Sequence, residues 1–363
     1  MDLLASIANR FQLAGTVTSV QAIESGHIND TYLVETDRRE RYVLQRINHQ
    51  VFCDPHGLMR NIVLVTQHLQ KKLAASGEPV GRRRVLSVIA TTDGDSLAET
   101  SAGDYWRMLP YIENSHTVGE EASLEEIRQA ACGFGSFVAH LVDLPATQLC
   151  ETIPRFHHGP SRYEAFQLAV AADVAQRVGG CEREIAVIQQ HDEMLTSPQQ
   201  KIDTGELPLR VTHNDAKCNN ILLDNETNVA VCVIDLDTVM PGLAMWDFGD
   251  LVRTSACRAA EDEVDLSLVK VEPDRLQQAA RGYLAGCQGV LTEEEVNSLA
   301  DGPAYMALIM ATRFLTDYLE GDTYYKTLYP RHNLDRCRNQ LALLAELQQL
   351  RPTLQRVFTD AAK

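Results

Sequence analysis

Positive charge is scarce in this sequence. Its 363 residues carry 33 lysines and arginines against 50 aspartates and glutamates, a formal net charge of −17. That balance argues against nucleic acid or an anionic membrane surface as a partner, and neither is expected. It leaves room for a phosphate ligand, because a phosphate site is local. Long apolar runs are missing too: no window approaches the roughly 18 apolar residues of a membrane span. The opening residues, MDLLASIANRFQL, lack the basic region and cleavage site of a secretory leader. Leu3, Leu4, Ile7 and Phe11 share one helical face there instead, which predicts a packed first helix. There is no C-x-x-C pair, and the nine cysteines are odd in number. Reduced, mostly buried thiols and a cytoplasmic location are the expectation. The eleven histidines show no metal-ligand spacing, and His157 and His158 read as surface residues. No internal repeat or low-complexity tract stands out. Hydrophobic content of 45% and charged content of 23% are ordinary for a globular chain, whose length suits two domains or one bilobal one.

What is present is concentrated in VTHNDAKCNNILLDNETNVAVCVIDLDT, residues 211–238. His213, Asp215 and Asn220 form an H-x-D-x-x-x-x-N pattern running into Ile221, Leu222 and Leu223. A β-prone run follows and ends on Asp235, Leu236 and Asp237. The pattern predicts a short loop bearing a carboxylate and an amide, then a hairpin, then a second carboxylate at its far end. That arrangement suits phosphoryl transfer from ATP. A carboxylate orients the acceptor hydroxyl and takes its proton, the part assigned to Asp215. The nucleotide's Mg²⁺ needs hard oxygen ligands, offered by Asn220 and Asp235, with Asp237 as an additional one. Protein kinases use the same spacing. An Asn- and Asp-rich turn between buried strands would be the bland alternative for a shorter motif.

The rest of the chain supplies the frame. Residues 14–34 read as strand, turn, strand, and 41–46 as the next strand. Residues 58–74 have helical apolar spacing, and Gly81 to Arg84 read as a basic surface loop. Segments 85–91, 96–99 and 105–110 read as strands. Ser123 with Glu126 forms a capping box opening a helix to about Val142. Two helical patterns occupy 160–200, with a turn at Gly179 and Gly180. Strands are expected again only around 211–238. Thr292 with Glu295 is a second capping box, and helices at 303–319 and 331–358 follow.

These motifs resemble the aminoglycoside phosphotransferase and choline kinase superfamily, chiefly through HNDAKCNNILLD and VIDLDTVMPG. SGHINDTY (25–32), LMRN (58–61), RVTHND (210–215), DFGD (247–250) and RFLTDYLEGDTYY (313–325) are similar to the bacterial N-acetylhexosamine 1-kinases within it. The likeness is spread over nearly the whole chain. It implies an α+β, two-lobed, protein-kinase-like fold: residues 1–110 as a small lobe around an antiparallel sheet, and 111–363 as a mainly helical lobe. It implies that the turn with Gly26 closes over the phosphates, with His27 and Asn29 directed to the sugar or the phosphates. The linker residues Leu109, Tyr111 and Ile112 are expected at the adenine. Gln45 stands where the superfamily places a phosphate-binding Lys, and alternation sends Arg46 to the other face. The cation is therefore unassigned. Asp247 is expected to cap a helix and brace the loop, and Arg313 and Tyr324 to touch the sugar. The activity implied is ATP- and Mg²⁺-dependent phosphorylation of an N-acetylhexosamine at its C1 hydroxyl. A same-fold kinase for an aminoglycoside, homoserine, choline or another sugar stays open. So does a non-catalytic nucleotide-binding relative, for which Gln45 is the warning sign.

Overall fold

The computed structural model describes residues 3–23, 28–75, 84–119 and 121–361. A short helix α1 (Leu3–Ala8) leads into strands β1 (Val17–Ile23), β2 (Asp30–Thr36) and β3 (Arg41–Ile47). Helix α2 (Pro55–Ala75) follows, then β4 (Ala98–Glu99) and β5 (Tyr105–Pro110). These strands form one antiparallel sheet in the order β1-β2-β3-β5-β4. Alternation sorts its two faces. Tyr42, Leu44, Trp106 and Met108 are buried with Ile7 and Phe11 of the N-terminal segment. Gln45 lies on the opposite face, directly paired in register with Arg107 of β5. Arg46 falls on the outer face as alternation predicts, where its Nε donates to Asp30 at 2.7 Å.

Helix α2 joins this sheet to the rest. Its Leu58, Met59, Ile62 and Val65 pack with Ile47 and Phe52 on one side and with Leu141, Val211, Val239 and Met240 on the other. Fully burying each such side chain contributes about 1.5–3 kcal/mol, so this shared apolar layer holds the sheet against the segment around residues 211–240.

Beyond Pro110 the chain turns mainly helical. Strand β6 (Ser115–Thr117) precedes α3 (Leu124–Leu141), α4 (Gly159–Ala172), α5 (Glu182–Gln190) and α6 (Asp192–Asp203). Strand β7 (Arg210–Thr212), the hairpin β8 (Ile221–Asp224) and β9 (Ala230–Val233), and β10 (Met240–Gly242) carry the site. Helices α7 (Ala244–Ser255), α8 (Pro273–Cys287), α9 (Glu293–Leu299), α10 (Gly302–Glu320) and α11 (His332–Ala361) complete it. Both capping boxes form, at Ser123 and at Thr292. Helix α3 buries Ile127, Ala130, Ala131, Phe134 and Val138, one helical stripe, against α8. The two helices cross at backbone distance. A Cβ on Gly135 would stand 2.2 Å from the Tyr283 carbonyl, and one on Gly286 2.1 Å from the Cys132 carbonyl. Any larger residue there would push the helices apart.

Several local expectations need correction. Residues 85–91 form no strand; only the isolated bridges Ile89–Met108 and Phe11–Thr91 occur. Consecutive Val85 and Leu86 are both buried, so the segment plugs the core instead of alternating. The strand expected at 96–99 shortens to Ala98–Glu99. Residues 160–200 hold parts of three helices rather than two, broken at a single turn of 3-10 helix, Val178–Gly180, and again at His191. One strand does return well before the motif: β6, which pairs with β8, while β7 and β10 lie at the motif's edges and pair with each other. The basic run Gly81 to Arg83 lies outside the described residues.

Candidate active site

The loop between β7 and β8 is held from below by one carboxylate. Asp247 accepts from the backbone N–H of His213 at 2.8 Å and of Asn214 at 2.7 Å. Asp247 sits inside the first turns of α7, whose N-cap is Leu243, so it braces the loop without capping the helix. Burial foremost raises its carboxyl to about 6, against the pull of His213 and these two N–H groups. Asn214 adopts a left-handed φ of 61°. Its amide pays back the bend by donating to the carbonyls of Thr238 at 3.1 Å and Met240 at 3.2 Å. His213 Nε2 donates to the Ile234 carbonyl at 2.9 Å. The loop is thereby tied to the strand that leads to Asp235.

Asp215 emerges from this platform with its side chain 26% accessible. Its Oδ2 accepts from Asn220 Nδ2 at 3.0 Å and meets Lys217 Nζ at 3.0 Å. Burial pushes its carboxyl up, but Lys217 and His213 together hold it below the ordinary value. It is therefore a carboxylate at neutral pH. The Asn220 amide nitrogen also donates to the Asp215 carbonyl at 2.8 Å, which leaves its oxygen to face elsewhere.

That oxygen and Asp235 make a donor set for a hard cation. Asp235 has a left-handed φ of 59° at the end of the β9 segment. No donor among the described residues reaches its carboxylate. Burial first, then Asp237 and Asp215, raise it toward about 7. The residue stays open to cleft water, which moderates that rise. A carboxylate crowded by two others is stabilised by a divalent ion. No group of three or more His, Cys, Asp or Glu forms a metal cage among the described residues. The set thus fits an ion completed by substrate phosphates and water, as Mg²⁺ prefers. Asp237 is engaged differently. It is buried, ion-paired with Arg107 Nη1, and accepts from Asn29 Nδ2 at 2.6 Å.

On the sheet side, Gln45 is committed. Its Nε2 donates to Thr31 Oγ1 at 3.2 Å and its Oε1 accepts from Arg107 Nε at 2.9 Å. Asn29 also accepts from the Asn48 backbone N–H at 2.9 Å. Gly26 and His27 lie outside the described residues. In the linker, Leu109 is half-buried within β5. The Tyr111 N–H donates to the Arg41 carbonyl at 3.1 Å, and the Ile112 carbonyl accepts from Ser115 at 2.7 Å. Those two backbone groups are therefore already used.

A second cluster lies under the loop, and it corrects the reading of His157 as a surface residue. His157 is buried, and its Nε2 donates to the Asn214 carbonyl at 2.8 Å. Burial drives its pKa down to about 3, so it is neutral. Its Nδ1 has no hydrogen-bond partner among the described residues, nor do Trp246 Nε1 and the Tyr325 hydroxyl, all three buried. The His157 and Trp246 rings are 5.7 Å apart, and Tyr305 donates to the His157 carbonyl at 2.6 Å. Arg313 lies 4.8 Å from the Phe156 ring, 5.5 Å from Tyr325 and 5.7 Å from Tyr324. Arg162 donates from Nε to the Phe156 carbonyl at 3.2 Å, and burial, then Arg313, lower its pKa. Neither guanidinium has a carboxylate partner among the described residues. Arg313 and Tyr324, the two residues expected to touch the sugar, lie beside each other, with Tyr324 exposed. Sequence reasoning missed His157, Arg162, Trp246 and Tyr325. The adjacency of Tyr325 to Tyr324 was the single available signal.

The phosphotransferase enzyme family (APH) matches residues 19–283 of this chain. Solved structures are similar over nearly its full length. An aminoglycoside phosphotransferase from Alicyclobacillus acidocaldarius superposes with a TM-score of 0.60 at 11% identity, covering 98% of this chain and 96% of its own. A choline kinase from Cryptosporidium parvum gives 0.60 at 12% identity, covering 96% and 95%. The amicoumacin kinase hAmiN, in complex with AMP-PNP and Ca²⁺, gives 0.60 at 11% identity, covering 96% of both chains. At these identities the structures share the fold, which is two-lobed and protein-kinase-like.

Proposed function

The chain belongs to the phosphotransferase enzyme family, and from that premise we propose that it transfers the γ-phosphoryl group of ATP to the C1 hydroxyl of N-acetylglucosamine or N-acetylgalactosamine. Residues 1–110 serve as the lobe covering the nucleotide, and 111–363 as the lobe holding the sugar. Asp215 orients the acceptor hydroxyl and takes its proton. Its low pKa suits orientation more than strong basicity, and phosphoryl transfer with a loose transition state asks mainly for positioning. Asn220 fixes the carboxylate through its amide nitrogen, and its oxygen, with the Asp235 carboxylate, would hold Mg²⁺. The ion, when bound, neutralises charge on the transferring phosphates. Asp237 is read here as the structural partner of Arg107 rather than as a ligand.

The observation that carries the acceptor class is the donor-rich cluster beneath Asp215. Among the described residues Arg162 and Arg313 have no carboxylate partner, and the Trp246 N–H and the Tyr325 hydroxyl have no hydrogen-bond partner; a neutral sugar with an acetamido carbonyl would offer acceptors without adding charge. Buried donors left unpaired cost about 1–3 kcal/mol each, so a ligand that satisfies them binds selectively. A quaternary amine or a polycationic aminoglycoside would instead face two uncompensated guanidiniums.

A panel of free sugars and amino alcohols with Mg²⁺–ATP tests this. N-acetylglucosamine and N-acetylgalactosamine are expected to be phosphorylated well, glucose and galactose more weakly, with phosphate on C1 by phosphorus and proton NMR. Phosphate on C6, or turnover of kanamycin or choline with none of N-acetylhexosamines, overturns the reading.

A further inference from the structure

We infer that Arg107 supplies the phosphate-binding cation of the nucleotide site, contributed by β5 in place of a basic residue at position 45 of β3. The inference rests on the nucleotide half of the function proposed above, and it assigns a residue that the motif analysis left without a role.

Position 45 faces the cleft but holds Gln, and its amide is spent on Thr31 and Arg107. Arg46 points to the opposite face and is held by Asp30. Directly across the ladder from Gln45, Arg107 projects from the same face of the sheet. Its guanidinium lies between Gln45 of β3 and Asp237, two residues past Asp235, and Asn29 shares Asp237 with it. Nε and Nη1 are committed to Gln45 and Asp237, whereas no described atom takes a bond from Nη2. The guanidinium is nearly fully buried in this structure, but the Nη2 edge has no partner among the described residues, and such an edge is suited to phosphate oxygens.

The charge balance points the same way. Asp237 and Asp215 both lie close enough to Asp235 to repel its charge, and MgATP would lie over the three. Among the described residues, Lys217 and Arg107 are the cations that act most on Asp235, and Lys217 is taken by Asp215 at the transfer end. Gln45 is then the residue that aims the guanidinium, and Thr31 the one that aims Gln45.

Nucleotide binding without acceptor separates this role from a purely structural one. The affinities of AMP-PNP with Mg²⁺ and of adenosine are measured by titration calorimetry, and their ratio is the readout, because adenosine carries no phosphate. In Arg107→Gln the ratio is expected to fall about tenfold or more, with adenosine binding kept, and Arg107→Lys should recover part of it. If Arg107→Gln fails to fold because Asp237 is left charged and buried, Arg107→Gln/Asp237→Asn is compared with Asp237→Asn alone, and the same fall is expected. An unchanged ratio overturns the assignment. A wild-type protein that binds neither ligand overturns the nucleotide reading beneath it, and is distinct from an unchanged ratio.

Discussion

Asp215 and Asn220 are joined twice: the Asn220 amide donates to the Asp215 carboxylate at 3.0 Å and to the Asp215 carbonyl at 2.8 Å. One side chain thus orients the proposed base, and its remaining oxygen is the one offered to the proposed metal ion. Base and metal ligand are coupled by a single amide, so displacing either should disturb both.

The first prediction concerns the base. Asp215→Asn keeps the shape and the Asn220 contact but removes the proton acceptor. Turnover should fall on the order of 10²- to 10⁴-fold, while AMP-PNP affinity changes little. Steady-state kinetics and calorimetry on the same preparation check it. A variant that keeps half of wild-type turnover would rule Asp215 out as the base.

Asp235 and Asp237 should separate cleanly. Asp235 receives no hydrogen bond from the described residues and is crowded by like charges, so Asp235→Ala should weaken Mg²⁺ dependence without lowering thermal stability. Asp237→Ala strands the buried Arg107 charge, a change that typically costs about 3–5 kcal/mol. It should lower the melting temperature. Activity against Mg²⁺ concentration, with melting curves for both variants, distinguishes them; a reversed pattern would exchange the two roles.

Asp247 braces the loop through two buried amides. Asp247→Ala leaves the His213 and Asn214 N–H groups without an acceptor, at about 1–3 kcal/mol for each. Reduced stability and faster hydrogen exchange at those two amides are expected, together with lower turnover. Unaltered exchange at both would show that the loop is held by other contacts.

His157 gives a pH signature. Burial lowers its folded pKa from 6.5 to about 3, so below the unfolded value the unfolded chain takes up a proton that the folded chain refuses. The stability present above that value is lost as pH falls from it toward the folded pKa. At about pH 5 the loss is on the order of 2 kcal/mol. His157→Gln keeps an N–H for the Asn214 carbonyl and removes the titration. Its melting temperature should therefore fall less than that of the wild type between about pH 7 and pH 5. Parallel curves would mean that His157 titrates normally.

Much of this protein could be read from local pattern. The H-x-D-x-x-x-x-N loop, the β8–β9 hairpin and the carboxylate at its end are contiguous, and hairpins and capping boxes are decided by neighbours within a few residues. The opposite faces of Gln45 and Arg46 follow from strand alternation alone. Tertiary structure decided what meets what. Arg107 reaches Gln45 across 62 residues and Asp237 across 130. His157 lies under Asn214 from 57 residues away, although its neighbours gave it the look of a surface histidine. Arg162 and Arg313 converge from α4 and α10, and no spacing within either helix predicts it. The proposed cation and the proposed acceptor pocket depend on strand register and helix packing, which are properties of the whole chain, whereas the carboxylates depend on the order of residues in one loop.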